Sequence, residues 1–593
     1  MKFSVLAETF EKMEKTPKRL ELTDYLVDLF KNTPPDLVSK VVYLIQGKLR
    51  PDFEGIEIGV AEKLVIRAVY RSTAIPVKKI EDAYRKDGDL GHAVSKLIEQ
   101  KTQTTLFDET GGDDKTVDWV YDTLYKIAEL EGAGKNVLDK KMNYVSSLLN
   151  NTSPISAKFI IKILIDTMRL GVADNTILDA LAIAFTGSKS NREKLENAYN
   201  VSSDLGKVAE VAAKKGLEGI NKFKIQVFSP IRPMLADRVK SEKEAIEKMG
   251  EKFAAEYKLD GERIQIHLSD GKIDLFSRRL EKIRNYYPDI VENIPKSLKA
   301  KEAILEAEAV AINENTGEFL PFQELMHRRR KYNIDKAVLR YPITVNFFDV
   351  LYADGKSCLD LGYSQRRKLL EEIVVEDNFT KIVPQMIVTN EGQIEDFLEN
   401  SINSGCEGLM LKSLDAPYRA GMRGSNWLKL KREYRNELGD SLDLVVIGAF
   451  FGRGRRTGKY GTLLLATYND QNDTFPSICK VGTGFTDENL DQFYQILSDK
   501  ITLKKNPRII SEMEADVWFE PELVIEVVAS EITLSPIHKT ALDVLRKGSG
   551  LALRFPKFTG KIRMEKSPEN ASTDQEVISL YKGQTKITKG SES

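Results

Sequence analysis

The stretch that decides the reading is Glu256-Tyr257-Lys258-Leu259-Asp260-Gly261-Glu262-Arg263. Asp260-Gly261 is a hairpin-turn signal. After it, Ile264, Ile266 and Leu268 alternate with Gln265, His267 and Ser269 at strand period. A strand ending in this turn sets Glu256 and Lys258 on one face, with Arg263 just beyond. Two later stretches repeat the layout. Leu305-Glu306-Ala307-Glu308-Ala309 puts two carboxylates on one face, and Trp427-Leu428-Lys429-Leu430-Lys431 puts two ammonium groups on one face. Singly, each reads as the solvent face of a half-exposed strand. Together they make a chemical set. Paired carboxylates suit a divalent cation such as Mg²⁺, which takes a few oxygen ligands plus phosphates. Paired lysines suit a polyphosphate. A further lysine placed among cations has its pKa lowered, as a nucleophilic amine requires. Nothing matches a P-loop, so a nucleotide would be bound on another scaffold.

Upstream of this region, residues 1–225 read as helical. Asp36-Leu37-Val38-Ser39-Lys40-Val41-Val42-Tyr43-Leu44-Ile45 and Lys158-Phe159-Ile160-Ile161-Lys162-Ile163-Leu164-Ile165 carry apolar residues at helical spacing. Asn32-Thr33-Pro34-Pro35 and Asn151-Thr152-Ser153-Pro154 read as helix starts. The proline-punctuated Ser229-Pro230-Ile231-Arg232-Pro233 reads as a linker, and Gly111-Gly112-Asp113-Asp114 as an exposed loop. Residues 226–433 mix strand patterns with helical pieces such as Ser364-Gln365-Arg366-Arg367-Lys368-Leu369-Leu370-Glu371-Glu372. From 434 to 593, strand-like runs such as Leu442-Asp443-Leu444-Val445-Val446-Ile447 alternate with glycine-rich turns, the pattern of a small β-barrel. The expectation is three domains, 1–225, 226–433 and 434–593, with hinges near 225–235 and 432–440.

The 593 residues hold 88 basic and 89 acidic side chains, 41% hydrophobic and 30% charged residues, which fits globular domains and excludes a disordered chain. No apolar run reaches the length of a membrane helix. The first residues meet Glu8 before a signal-peptide core develops. Three widely spaced cysteines, Cys358, Cys406 and Cys479, exclude a disulfide framework and a cysteine zinc site. An intracellular, cytoplasmic location is expected. The net charge of −1 conceals local clusters, which matter more for a nucleic-acid partner than the total. His267 alternates outward on its strand, and His92, His327 and His538 show no metal-ligand spacing, so each reads as structural or surface.

Lys258-Leu259-Asp260-Gly261-Glu262-Arg263 resembles the Lys-x-Asp-Gly-x-Arg signature of covalent nucleotidyltransferases, the polynucleotide ligases and capping enzymes. An ordered set follows it. Phe276-Ser277-Arg278-Arg279, Glu306-Ala307-Glu308-Ala309-Val310-Ala311 and Phe347-Phe348-Asp349-Val350-Leu351-Tyr352 resemble the next motifs, and Cys406-Glu407-Gly408-Leu409-Met410-Leu411-Lys412 and Trp427-Leu428-Lys429-Leu430-Lys431 resemble the last two of the nucleotide-binding domain. Leu553-Arg554-Phe555-Pro556-Lys557-Phe558 resembles the motif of a C-terminal OB domain. The whole chain is similar to ATP-dependent DNA ligases of the archaeal and eukaryotic replicative type. That resemblance extends to Val41-Val42-Tyr43-Leu44-Ile45-Gln46-Gly47-Lys48-Leu49 and Arg169-Leu170-Gly171-Val172.

The resemblance implies an all-α DNA-binding domain, an α+β adenylation domain and an all-β OB-fold domain. It implies three chemical steps. Lys258 attacks the α-phosphorus of ATP; AMP passes to the 5′-phosphate at a nick in duplex DNA; the 3′-hydroxyl then displaces AMP. Glu256 matches the residue recognising adenine, and Phe348 the ring stacking on it, with Phe347 left to the core. Arg263, Arg278 and Arg423 match ATP contacts, and guanidinium forks suit phosphate and ribose oxygens. Glu308 and Glu407 match ribose or Mg²⁺ ligands, whereas Glu306 only extends the acidic face. Lys429 and Lys431 match a phosphate clamp. Asp260 and Gly261 complete the signature. Arg554 and Lys557 match residues that orient pyrophosphate; the family usually has arginine where this chain has Lys557, and lysine loses bidentate geometry.

Nicked DNA is expected to be held mostly through phosphates. Basic runs fit this: Phe451-Gly452-Arg453-Gly454-Arg455-Arg456-Thr457-Gly458-Lys459, Arg328-Arg329-Arg330-Lys331, and the five cations from Arg423 to Arg435. Gln103-Thr104-Thr105-Leu106-Phe107 resembles a sliding-clamp binding peptide, with Gln103, Leu106 and Phe107 as its anchors. A monomer associated with the nucleoid, serving replication, repair and recombination, is the expectation. Competing readings are an RNA ligase, a capping-type guanylyltransferase, or a DNA and clamp scaffold without catalysis.

Overall fold

A computed structural model of the chain describes residues 1–104, 115–130, 134–312, 319–320, 322–328, 334–431, 441–452, 459–502, 504–529, 531–554 and 556–589. It divides into two compact units, Met1–Lys429 and Leu430–Ser593. Among the described residues no helix is long and apolar enough to cross a membrane.

The first unit opens with helices, from Phe3–Glu14 to Leu205–Ile220. Helix Phe3–Glu14 buries Phe3, Leu6, Ala7, Phe10 and Met13, three to four residues apart, as one apolar stripe. Helix Pro154–Leu164 is buried from Ser156 onward, lysines included. Lys158 therefore pairs with Glu11 and Glu14, and Lys162 with Glu14 and Asp89, at 2.5–2.7 Å, which neutralises charge that burial would otherwise penalise. Ser153 caps this helix by accepting the N–H of Ser156, with proline in the first position, as expected. Asn32-Thr33-Pro34-Pro35 behaves differently from expectation. Asn32 ends helix Arg19–Lys31, and the next helix begins only at Val38. The side chain of Asn32 turns back onto the carbonyl of Asp28.

Two sheets follow. The first runs β1 (Leu235–Val239), β11 (Arg423–Lys431), β10 (Gly408–Lys412), β2 (Phe253–Lys258), β9 (Gln385–Val388) in spatial order. The second runs β4 (Lys272–Ser277), β3 (Glu262–Ser269), β5 (Glu302–Ala311), β6 (Ile343–Ala353), β7 (Lys356–Ser357), with β8 (Thr380–Ile382) also on β6. β2 and β3 are joined by the turn at Asp260-Gly261, so this turn passes the chain from one sheet to the other. Gly261 is required there by crowding. A Cβ would lie 2.3 Å from the carbonyl oxygen of Ala309 on β5.

One expectation is overturned in this region. His267 does not face solvent; it is wholly buried, with Gln265 beside it. The outer face of β3 is covered by the segment read as a proline-punctuated linker. Gln265 accepts from the N–H of Ile231 at 2.7 Å and donates to its carbonyl at 2.9 Å, as a neighbouring strand would. The N–H of Phe228 donates to Nδ1 of His267 at 2.9 Å. On the other side, Arg232 N–H reaches Asn200 of the helical region, and Ser203 reaches the carbonyl of Pro230. Backbone groups that a hinge would leave to water are paired on both flanks. The second expected hinge, 432–440, lies outside the described residues.

The second unit is rich in strands. Its main sheet joins β12 (Leu442–Phe451), β13 (Tyr460–Ala466), β14 (Phe475–Val481), β15 (Ile501–Thr502), β16 (Ile509–Ile510), β17 (Val517–Phe519), β18 (Val524–Val528) and β21 (Lys557–Ile562). β19 (Glu531–Ser535) pairs with β20 (Gly550–Arg554). Leu444, Phe519, Ile525, Leu553 and Phe558 belong to its core. Helix Asp487–Ser498, capped by Thr486, adds Phe493 and Leu497.

Candidate active site

Lys258 ends β2, opposite Gly408 at the start of β10. The N–H of Glu407 donates to the Lys258 carbonyl at 2.8 Å, and the Glu407 carboxylate pairs with the Lys258 ammonium. The charge in contact with this lysine is thus a carboxylate, not the cation that the sequence led one to expect. Asp260 and Glu308 complete the surroundings. Asp260 accepts from the N–H of Phe322 at 3.2 Å; burial, then the Glu407 charge, pushes its carboxyl up. Glu308 is pushed up to about 7 by burial, with Glu407 and Asp260 adding to the rise and Lys258 and Arg263 opposing it. Three carboxyl groups, of Asp260, Glu308 and Glu407, thus act on Lys258.

Behind it, Arg263 forms a two-pronged pair with Glu306, through Nη2 at 2.8 and 2.7 Å and Nε at 3.3 Å. Nη1 donates to the carbonyl of Met234. Tyr418 donates to Glu306 at 3.0 Å and accepts the N–H of Met234 at 2.8 Å. Glu306 is 1% exposed. It does more than extend an acidic face: it fixes the fork of Arg263, and truncating it would leave a buried cation unpaired. Arg263, Glu306 and the exposed Arg278 line one small surface hollow with Pro233, Gln265 and Ser277.

Phe347 and Phe348 part as alternation predicts. Phe347 is wholly buried in the core of the second sheet. Phe348 is half-buried, beside Arg263 at 5.4 Å and edge-on to Trp427 at 6.3 Å. The register adds what alternation cannot show. Glu306 pairs with Asp349 and Ala307 with Phe347, so Phe348 is an extra residue on β6, a bulge. Bulges re-aim side chains and gather near sites.

Strand period puts Arg423, Trp427, Lys429 and Lys431 on one face of β11. Trp427 is buried beside Phe348, Lys429 and Lys431 are half-buried, and Arg423 is exposed at the strand's start. In the second unit Arg554 ends β20 and pairs with Glu531 at 3.0 Å, and Lys557 is exposed at the start of β21.

Glu256 is 1% exposed. Lys412 reaches it at 2.5 Å, Arg367 at 3.3 Å, and the Tyr363 hydroxyl donates to it. These three partners were not picked out from the sequence. Lys412 closes the motif Cys406-Glu407-Gly408-Leu409-Met410-Leu411-Lys412. Tyr363 and Arg367 lie four apart on helix Tyr363–Ile373, hence on one face, but only the tertiary fold brings that face to β2.

Two basic clusters fare differently from expectation. Arg328 is buried, forked onto Asp289 at 3.1 and 2.7 Å, and so is structural; 329–331 lie outside the described residues. Lys459 pairs with Asp491, and 453–458 lie outside the described residues. Of the clamp peptide, Gln103 falls in helix Leu90–Thr104, and Leu106 and Phe107 lie outside the described residues.

Known proteins share this layout. Models described as DNA ligase N terminus, ATP dependent DNA ligase domain and ATP dependent DNA ligase C terminal region match residues 2–182, 233–431 and 456–566. The DNA ligase of Nitrosopumilus maritimus (strain SCM1) is 70% identical, with 99% of both chains covered. The chain belongs to the ATP-dependent DNA ligase family. Ligases of this family more distant in sequence also match end to end: DNA ligase 2 of Thermofilum pendens at 49% identity over 98% of both chains, and the probable DNA ligase of Aquifex aeolicus at 45% over 99% of both. A solved structure described as Pmar-Lig_Pre shares the fold, with a TM-score of 0.55 and 16% identity over 94% of this chain and 99% of that one. The ligase architecture is three-part: a helical N-terminal region, an ATP-dependent catalytic middle and a sheet-rich C-terminal region. The full-length matches are DNA ligases, which disfavours the RNA-ligase, guanylyltransferase and silent-scaffold readings.

Proposed function

We propose that this ligase seals nicks in duplex DNA through a lysyl-AMP intermediate on Lys258. What supports this most is the assembly around that residue. A lysine at the end of β2 meets Glu407, with Asp260 and Glu308 behind it. An anchored guanidinium stands on β3 and an aromatic ring beside it on β6.

Lys258 supplies the attacking amine. Its pairing with Glu407 orients the nitrogen; once the ammonium has given up a proton and left that pair, the neutral amine attacks the α-phosphorus and pyrophosphate leaves. Glu256 reads the adenine edge and Phe348 stacks on the ring. Arg263, held by Glu306, together with Arg278 and Arg423, contacts ribose and phosphate. Lys429 and Lys431 stabilise charge on the bridging and leaving oxygens. Arg554 and Lys557 orient the departing pyrophosphate.

Mg²⁺ fits the carboxylates present. Glu308 and Glu407 offer hard oxygen donors, and a cation beside Glu308 would offset the burial that pushes its carboxyl up. Among the described residues no group of three or more side chains is arranged to hold a metal alone. When bound, Mg²⁺ would neutralise triphosphate charge.

The domain division proposed is 1–225 for DNA binding, 226–433 for adenylation and 434–593 as an OB-fold. In the helical region, Gly171 has a left-handed φ of 70° beside exposed Arg169 and buried Leu170. This anchored turn would offer backbone amides to DNA phosphates. A monomer, a cytoplasmic, nucleoid-associated location and sliding-clamp docking through Gln103, Leu106 and Phe107 complete the reading. The deciding experiment is incubation with ATP labelled at the α-phosphate. A protein–AMP adduct stable to base, absent in Lys258→Ala, is expected; an unlabelled wild type would refute the ligase mechanism.

A further inference from the structure

The supports of Glu256 carry an inference about base selection. One carboxylate oxygen takes the Lys412 ammonium at 2.5 Å. The other takes the Tyr363 hydroxyl and, at 3.3 Å, the Arg367 guanidinium. The Tyr363 hydroxyl itself accepts from Gln385 at 2.6 Å, and Gln385 sits directly opposite Glu256 in the β2–β9 register. Its proton is therefore committed to Glu256. Lys412 makes a second bond, to the backbone carbonyl of Phe348 at 3.1 Å. Its ammonium is ringed by Phe348, Tyr363 and Trp427 at 5.0, 4.8 and 4.6 Å. One buried cation thus ties the carboxylate to the strand position of the aromatic ring.

We propose that Tyr363, Arg367 and Lys412 are positioning residues that set base specificity. They hold Glu256 as a hydrogen-bond acceptor at a fixed offset from the Phe348 ring, so the site selects a purine with an exocyclic amino group at that edge. A carboxylate so held only accepts. A purine with a carbonyl there meets two acceptors face to face, and one with no substituent leaves the carboxylate's remaining lone pair unmet. This rests on the reading of Glu256 as the base contact and Phe348 as the stacking ring.

The test is single-turnover adduct formation by the full chain with ATP, purine riboside triphosphate, which lacks the amino group, and inosine triphosphate, which carries a carbonyl. Wild type is expected to prefer ATP strongly over both. Tyr363→Phe and Arg367→Met are expected to lower that preference about tenfold, through the ATP concentration giving half-maximal rate more than the maximal rate, and Arg367→Lys to restore most of it. Tyr363→Phe keeps the ring and Arg367→Met keeps most of the largely buried Arg367 side chain's volume, and folding is checked by melting temperature alongside. An equal loss with all three nucleotides, preference unchanged, would reduce these residues to structural packing and overturn the proposal. Glu256→Gln separates the layers. If it keeps wild-type preference, the base-contact reading fails and the inference with it. If it loses the preference while Tyr363→Phe and Arg367→Met keep it, only the positioning inference fails.

Discussion

Glu308 holds its proton up to about 7, against an ordinary value of 4.5, because burial and two neighbouring carboxylates oppose its charge. Between those values the folded chain binds a proton that the unfolded chain has released. Stability therefore falls as pH rises through that window. Glu308→Gln keeps the shape without the charge. In protein free of nucleotide and metal it is expected to melt above wild type near pH 8 and to show no such gain near pH 5. Adduct formation should drop at least about a hundredfold in the same variant. A gain independent of pH in the melting curves would contradict this electrostatic account. At this scale the sequence was most legible where function rests on short spacing. Lys258, Asp260 and Arg263 are separated by one turn, and Glu306 and Glu308 by one strand period. Residues gathered by tertiary pairing left no local trace. Tyr363, Arg367 and Gln385 are more than a hundred residues from Glu256 in the chain. Glu306 was seen, but its partner Arg263 emerges only once β3 lies beside β5.

Elements show why two adjacent phenylalanines have different duties. Phe347 fills the second sheet's core, whereas the bulge at Phe348 turns the next ring toward Lys412, Arg263 and Trp427. Phe347→Ala is expected to cost about 3–5 kcal/mol of stability, as a truncated core aromatic does. Phe348→Ala should cost far less, yet raise KM for ATP about tenfold or more. Urea denaturation and adduct kinetics on both variants check this; matching profiles would deny the division of labour. Alternation predicted the split, but the bulge was invisible, because an extra residue is defined only against a partner strand. β3 teaches the converse. Its alternation was read correctly, yet both faces are buried, since a second polypeptide segment covers the polar one.

Across the first unit, the segment before β1 behaves as part of the β3 surface and not as a tether. Its hold passes through Gln265, whose amide meets both backbone groups of Ile231, and through His267. Burial pushes His267 down to about 3, so it stays neutral and accepts the N–H of Phe228. Gln265→Leu removes these bonds and leaves buried polar groups unmet, at about 1–3 kcal/mol each. Limited proteolysis should then cut within 226–233 much faster than in wild type, near neutral pH. Unchanged cleavage would mean that the segment is held by something else. The prolines and the composition change marked a boundary in the sequence correctly. They carried no information about whether that boundary is free, because docking depends on Gln265 and His267 more than thirty residues later.

The cage around Lys412 also gives this ligase an optical handle. The chain has three tryptophans, Trp119, Trp427 and Trp518, and Trp427 packs against Phe348 with the Lys412 ammonium over its ring. Indole emission responds to nearby charge and to stacked rings. A purine arriving on Phe348 changes both around this one indole. Intrinsic fluorescence should therefore shift on nucleotide loading without any attached dye, and the response should vanish in Trp427→Phe while surviving in Trp119→Phe. If Trp427→Phe keeps the signal, the emission change arises elsewhere in the chain.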